Sequence, residues 1–420
     1  MLHLKGWFID HQRLGFQKMS KDSSYLIDSV RTPIGKFGGS LASIRTDDLA
    51  ALTIKKLIDK IKIDPQAIDD IILGCANQAG EDNRNIARMA SLLAGLPYTV
   101  PGETVNRLCA SGMSSIIHAH RAIQTGDGNL FLAGGVENMT RGPLVISKAS
   151  SPFGRDSAMY DTSFGWRFKN PKLDKKYGTE SMGETAENLV EKYNINRESQ
   201  DKFAYNSQIK ASNAQKNNRF AEEIISVEIP QKKSDPVFFN QDEFIRSDST
   251  LEDLAKLKPA FRKNGSVTAG NSSGINDGAA IMLVASKMAV HQHSLKPLAR
   301  IVSSAVVGVE PSIMGIGPVQ ASNKALKKAS LKMSDIDIIE LNEAFAAQSI
   351  ACIMEWGLDI DDSRINPNGG AIALGHPLGM SGTRILQTAA IELNKQNKSL
   401  ALVTMCIGVG QGYAVIIEKA

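Results

Sequence analysis

Two stretches, VNRLCASGMSS at 105–115 and NPNGGAIALGHPLGMSG at 366–382, carry one triplet twice, as Gly112-Met113-Ser114 and as Gly379-Met380-Ser381. Their separation is 267 residues (379 − 112), and the same 267 relates Asp70-Ile71-Ile72 of IDDIILG (68–74) to Asp337-Ile338-Ile339 of IDIIELN (336–342). One offset kept without a gap over more than forty residues, ending each time before a helical pattern, points to a duplicated unit. Around these anchors short apolar runs alternate with helical patterns: YLIDSVR (25–31), IDDIILG, SSIIHAHRAI (114–123), LFLAGG (130–135). That alternation predicts an α/β fold with a parallel sheet and helices on its faces. The stretch from about 140 to 268 reads differently: its helical patterns, ETAENLVEKYN (184–194) and DKFAYNSQIKASNAQ (201–215), are charged, and buried-strand candidates are few. It reads as an insertion or lid. The resulting division is an N-terminal extension at 1–20 outside the fold, a first half at 21–290 containing the inserted loop domain, and a second half at 291–420.

Halves packed about a pseudo-twofold axis place offset-related positions opposite each other. The residues three places before the two triplets are Cys109 and His376, and Cys75 maps onto Asn342. A lone cysteine is more often a small buried hydrophobe than a nucleophile. The symmetry partner His376 turns the reading toward chemistry. Cys109 precedes a helical pattern, where unpaired amides and the helix dipole are expected to lower a thiol toward its thiolate. His376 follows a glycine-rich turn, in which the glycines permit close backbone approach and Pro377 suits a helix start. Cys406 closes the apolar run LALVTMC (400–406) and leads into IGVGQG (407–412), a loop able to present amides to a developing oxyanion. Two thiols and a histidine suit an acyl transfer in which one thiol is acylated and the other moves a proton.

Composition removes competing classes. Of 420 residues, Lys and Arg number 48 against 44 Asp and Glu, a net +4 with no long basic run, so the electrostatic footprint of a nucleic-acid binder is missing. No run of about 18 apolar residues exists, and the first 17 residues are broken by Lys5, Asp10 and Arg13, so neither membrane insertion nor export is expected. The four cysteines, Cys75, Cys109, Cys352 and Cys406, form no CxxC pair, which predicts free thiols in a cytoplasmic, reducing setting and no zinc site.

Taken together, NRLCASGMSS, GNSSGINDGAA (270–280), LNEAFAAQ (341–348), NPNGGAIALGHPLGMSG and MCIGVGQG (405–412), with VRTPIGKFGG (30–39) and AGGVENM (133–139), resemble the motifs of the thiolases over essentially all of 25–420. GCANQAGEDNRNIARMA (74–90) and DTSFGWRFKNP (161–171) are most similar to the 3-oxoadipyl-CoA thiolases. The resemblance implies a five-layered α/β/α/β/α duplicated fold with an inserted loop domain. It also implies thiolytic cleavage of a 3-oxoacyl-CoA, with Cys109 taking the acyl group, Cys406 protonating the acetyl-CoA enolate and His376 activating the second CoA. Asn342 would hold a water beside His376, and the amides of Cys109 and Gly408 would stabilise the tetrahedral oxyanion. Met182, Arg246, Phe261, Ala269 and Ser273 are implicated in CoA binding, with Met314 and Phe345 near the acyl end. CoA and acyl-CoA are then substrates; no permanent cofactor and no metal is implied, and the chain is expected to form a homodimer or homotetramer.

The alternatives are a biosynthetic acetyl-CoA acetyltransferase, running the reaction as a condensation, and a catalytically silent acyl-CoA-binding protein on the same scaffold. Ser181 stands in SMGETAEN (181–188) where short-chain enzymes often carry histidine, which argues against strict acetoacetyl-CoA specificity. Of the basic residues Arg155, Arg167, Lys169, Lys172, Lys175 and Lys176, most are expected to be a solvated face. Arg167 is the candidate for a substrate carboxylate.

Overall fold

The computed structural model describes residues 23–420; the expectation for residues 1–20 lies outside the described residues. The first half supplies β1 (Ser24–Arg31), β2 (Asp70–Gly74), β3 (Gly102–Val105), β4 (Leu130–Asn138) and β5 (Asn276–Ser286), ordered β3-β2-β4-β5-β1. The second half repeats the pattern with β6 (Ala299–Gly308), β7 (Ile338–Leu341), β8 (Leu400–Ile407) and β9 (Gln411–Lys419), ordered β7-β8-β9-β6. An isolated parallel bridge from Ile365 to Ile339 stands where β3 stands in the first half. The two halves join edge to edge through β1 and β6 at Tyr25–Arg300 and Leu26–Ala299.

The sheets are mixed, which corrects the parallel reading. Only β2–β3, β2–β4 and β7–β8 run parallel, while β4–β5, β5–β1, β8–β9 and β9–β6 are antiparallel. The reason is local. A parallel neighbour needs a crossover of a dozen residues or more, and between β8 and β9 only Gly408, Val409 and Gly410 intervene, so the chain turns straight back.

Five layers follow from which strand residues face where. In β4, Leu130 and Leu132 pack outward with Ile54 and Leu57 of α1 (Thr46–Ile61) and Ile86 of α2 (Ile86–Leu93). Phe131 and Ala133 face inward on Met113, Ile116 and Ile117 of α3 (Ser111–Thr125), the period-two alternation of a sheet buried on both faces. The insertion contributes α4 (Met182–Tyr193) and α5 (Arg197–Lys216). In the second half, α6 (Gly317–Ala329) and α7 (Ala346–Glu355) cover the outer face at Ile339, Leu402 and Ile416. The inner face, with Ala401, Val403 and Met405, meets Ile385 and Leu386 of α8 (Leu378–Lys395). The middle layer is therefore α3 against α8, which start at positions again 267 apart (378 − 111). They approach so closely that a Cβ on Gly112 would collide with the Gly379 carbonyl and one on Gly382 with the Met113 amide. The repeated triplets meet where the offset placed them.

The insertion is not a loosely held lid. Arg31 of β1, fully buried, donates from Nε to Glu223 at 2.9 Å and from Nη1 and Nη2 to Asp242 at 2.7 and 2.9 Å. Arg219 then links Glu223 at 2.8 Å to Glu392 of α8 at 2.7 Å. These pairs clamp the charged segment onto both halves.

Candidate active site

Cys109 lies in a single 3₁₀ turn, Leu108–Ala110, just before α3. Leu108 takes a left-handed conformation (φ 46°), which costs a non-glycine residue of order 1–3 kcal/mol and persists only where the surroundings over-determine it. They do so here. The Leu108 amide donates to Asn106 Oδ1 at 2.9 Å, Asn106 Nδ2 donates to Ala76 O at 2.9 Å, and Ser111 Oγ donates to Leu108 O at 2.7 Å. The expected lowering of the Cys109 thiol is not found. Burial pushes it up, and the amides of Gly408 and of Cys109 itself pull only partly against that. The cysteine sits ahead of the first residue of α3, so two loop amides stand in for a whole helix terminus.

Cys406 is the penultimate residue of β8, buried beside Val267, Met314, Phe345 and Ala347, with Met182 packed against them. Burial, then the neighbouring Cys109, raises its thiol well above the ordinary range. The turn that follows carries Val409 at φ 64°, an outlier for a β-branched residue. It also brings Gly408 against Leu108 and Met182: a Cβ there would sit 3.4 Å from Leu108 Cδ1 and from Met182 Sδ. The two thiol-bearing turns thus share a wall.

His376 is buried, and its amide donates to Asn276 Oδ1 at 2.9 Å. Ser381 Oγ lies 2.8 Å from Pro377 O and 2.7 Å from His376 Nδ1; with its proton directed to Pro377 O it accepts Nδ1–H, the tautomer this pair of contacts favours. In that tautomer Nε2 keeps a lone pair, 3.5 Å from Asn342 Nδ2. Burial, helped by the Arg384 charge, lowers the imidazole to about 4, so it is neutral at physiological pH and free to accept a proton. Asn342 follows β7 as Cys75 follows β2; its amide donates to Thr404 O at 3.0 Å. Among the described residues the Asn342 Oδ1 is buried with no hydrogen-bond partner. Such an orphan acceptor is costly unless a donor arrives, which suits a substrate group or a water.

Two carboxylates that sequence reasoning passed over hold these parts together. Glu343, next to Asn342, accepts Asn366 Nδ2 at 2.7 Å, Ser207 Oγ at 2.7 Å and the Ile372 amide at 3.2 Å, tying the Asn342 loop to the His376 loop and to α5. Glu137, at the end of β4, accepts the amides of Ala76, Asn77 and Gly379 at 3.0, 2.9 and 2.9 Å. Burial raises both, Glu137 to about 7. Their only sequence signal was adjacency to motif residues in LNEAF and AGGVENM. Ligand atoms of Cys75, Asp82 and Glu137 lie within 4.8 Å of one another, but Glu137 is already taken up by three amides and Asp82 Oδ1 by the Gly80 amide at 2.8 Å.

Of the residues implicated in CoA and acyl binding, Met182, Met314 and Phe345 gather around Cys406. Phe261 stands edge-on to Phe345, centroids 6.0 Å apart, and Ser273 donates its amide to Ala344 O at 3.0 Å, so both join this group. Arg246 and Ala269 are exposed at its margin. The Arg246 guanidinium lies 5.5 Å over the ring of Phe244, which packs on Gly274, and Ala269 follows Val267, beside Cys406. Ser181 is exposed and caps α4, its hydroxyl accepting the Glu184 amide at 3.3 Å. Arg155, Lys169, Lys172, Lys175 and Lys176 are exposed; Arg167 alone of that group is half-buried.

The family model for the thiolase N-terminal domain matches residues 24–288 and that for the thiolase C-terminal domain residues 295–419. The chain is 53% identical over 397 residues to the 3-oxoadipyl-CoA/3-oxo-5,6-dehydrosuberyl-CoA thiolase of Escherichia coli K12, covering 94% of this chain and 99% of that one. It is 54% identical, with the same coverage, to the beta-ketoadipyl-CoA thiolase of Acinetobacter baylyi. Among solved structures it resembles the acetyl-CoA acetyltransferase of Bacillus anthracis (TM-score 0.89, 39% identity, 96% and 100% of the two chains). It likewise resembles human mitochondrial 3-ketoacyl-CoA thiolase (TM-score 0.89, 40% identity, 95% and 99%).

Proposed function

The chain belongs to the thiolase family, and from that premise we propose that it cleaves 3-oxoadipyl-CoA with CoA, giving acetyl-CoA and the acyl-CoA shortened by two carbons. The observation that carries the mechanism is the setting of His376: Nδ1 meets Ser381 Oγ at 2.7 Å, and Nε2 stands 3.5 Å from the side chain of Asn342, whose Oδ1 has no partner among the described residues.

The steps follow from which group holds a proton. Burial leaves Cys109 a thiol, so its attack on the 3-keto carbon needs a base, and Nε2 of His376 takes that proton. The amides of Cys109 and Gly408 receive the tetrahedral oxyanion. When the bond between C2 and C3 breaks, the electron pair goes to the acetyl-CoA enolate, whose oxygen faces His376 Nε2–H and a water held by Asn342 Oδ1. Cys406, kept protonated by burial, gives its proton to C2. His376 then passes its Nε2 proton to the Cys406 thiolate, which restores both groups; the thiol of a second CoA gives its proton to the freed Nε2 as it attacks acyl-Cys109, and that proton returns to Cys109 as the shortened acyl-CoA leaves. Met182, Phe261, Met314, Phe345 and Ser273 line the approach, with Arg246 and Ala269 at its rim.

A homo-oligomer belongs to the same reading, supported by Leu144, Ile146 and Met159, which a lone chain leaves exposed on the hairpin of Leu144–Ile146 and Met159–Asp161. So does a cytoplasmic setting; among the described residues no helix is long and apolar enough to cross a membrane. The decisive experiment follows the enolate absorbance of 3-oxoadipyl-CoA on adding enzyme and free CoA. Loss of the signal with formation of acetyl-CoA supports the reading; a stable signal with bound ligand would identify a silent binder.

A further inference from the structure

A dicarboxylic acyl chain poses a problem to a site walled by Met182, Met314 and Phe345. A carboxylate brought into such surroundings without a partner is strongly disfavoured, so discrimination in its favour requires a cation close to the reacting carbon. The arginines near the site differ in whether they are free to meet it. Arg107, two residues before Cys109, is committed: Nε donates to Ser114 Oγ at 2.9 Å, Nη1 to Gln411 Oε1 at 3.0 Å, and the guanidinium lies 5.7 Å over the Tyr413 ring. Arg141 is paired with Glu81, and Arg262 with Glu184 and Glu191. Arg384 is buried inside α8 opposite Glu340.

Arg167 is different. It is half-buried, and among the described residues it forms an ion pair with no carboxylate. Its hydrogen bonds run from Nη2 to Asn77, reaching Oδ1 at 3.0 Å and the carbonyl at 3.5 Å, which leaves Nε and Nη1 of the fork uncommitted. Two chains of contacts connect its segment to the turns that carry the thiols. Asn77 follows Ala76, whose carbonyl holds Asn106, which in turn fixes the Leu108 amide beside Cys109. On the other side, Trp166 donates Nε1–H to Glu180 O at 3.0 Å, two residues before Met182, whose sulfur a Cβ on Gly408 would meet at 3.4 Å. The segment bearing Arg167 is thus strung between the two turns that carry the reacting groups.

We propose that Arg167 is the residue that recognises the terminal carboxylate of an ω-carboxy 3-oxoacyl-CoA, making the site selective for a dicarboxylic acyl chain over the monocarboxylic chain of equal length. Asn77 orients the guanidinium, and the free edge of the fork meets the carboxylate. This rests on the thiolase reading above. The test compares the parent, Arg167→Met and Arg167→Lys on 3-oxoadipyl-CoA and on 3-oxohexanoyl-CoA, which has the same chain length and no carboxylate. Arg167→Met should lose roughly 10- to 100-fold in kcat/KM on 3-oxoadipyl-CoA, as expected for one charge-assisted pair, and far less on 3-oxohexanoyl-CoA, with Arg167→Lys between. Equal losses on both substrates, or no loss on either, overturn the assignment of Arg167. A parent that cleaves 3-oxohexanoyl-CoA but not 3-oxoadipyl-CoA overturns the dicarboxylic reading itself.

Discussion

The carboxylate of Glu137 accepts the amide of Gly379 at 2.9 Å with the oxygen that also accepts Ala76 at 3.0 Å. One buried side chain in the first half therefore holds the start of α8, three residues beyond His376, against the loop that supports Cys109 through Asn106. Glu137→Gln keeps the shape but leaves an NH₂ facing amide donors, and should cost about 1–3 kcal/mol of stability with a fall in kcat. The pH dependence has a sign. Burial, reinforced by Asp82, raises the folded-state carboxyl from 4.5 to about 7. The parent thus has an increasing burden of buried charge as the pH rises through that range, and the glutamine has none. The stability gap between the two should narrow between pH 5 and 8 in urea unfolding; a gap that widens would contradict the raised carboxyl.

His376 sets the acid limb. With its imidazole lowered to about 4, kcat/KM should hold on the acid side until the pH approaches that value. Because the Arg384 charge contributes to the lowering, Arg384→Gln should move the limb toward the ordinary histidine value of 6.5, provided the variant folds. Ser381→Ala offers a second handle. It removes the acceptor that fixes the Nδ1–H tautomer and should reduce kcat roughly 10- to 100-fold while the melting temperature changes little. A limb already near 6.5 in the parent would show that His376 is not so buried in solution.

The two thiols should separate by experiment. Cys109→Ser should gain no acyl mass from acyl-CoA, since a hydroxyl is almost never ionised at neutral pH. Cys406→Ala should still be acylated at Cys109 while hydrogen–deuterium exchange at the acetyl-CoA methyl collapses. Exchange at the parental rate in Cys406→Ala would remove that residue from the proton transfer.

What the sequence disclosed about this site follows from what repeats disclose. The repeat singles out Cys109 and His376 because the offset of 267 projects one onto the other, and Asn342 because it takes the place of Cys75. Glu137 and Glu343 were not, since their work lies in amides donated by residues as distant as Gly379, which no local pattern records. The direction of the Cys109 shift was misjudged for a related reason: a helix start is visible in sequence, the desolvation around it is not. Strand direction failed where a three-residue turn, Gly408–Gly410, replaced a crossover.

Arg31 makes the last prediction. It is fully buried with Glu223 and Asp242 as partners, and both carboxylates belong to the inserted segment. A pair of this kind adds little relative to a well-packed apolar alternative, but removing one member strands the others, at about 3–5 kcal/mol. Arg31→Met fills similar volume and leaves Asp242 without a cation and Glu223 with Arg219 alone, so its damage should appear first in the insertion. Limited proteolysis should cut between 140 and 268 at lower urea than in the parent, and affinity for CoA should weaken before the core unfolds. The double variant Arg31→Met, Asp242→Asn, which removes the stranded charge and keeps Glu223 paired with Arg219, should recover much of the loss. If the single variant instead unfolds in one step with the insertion as protected as the rest, the clamp and the core form a single cooperative unit and the segment is not separately held.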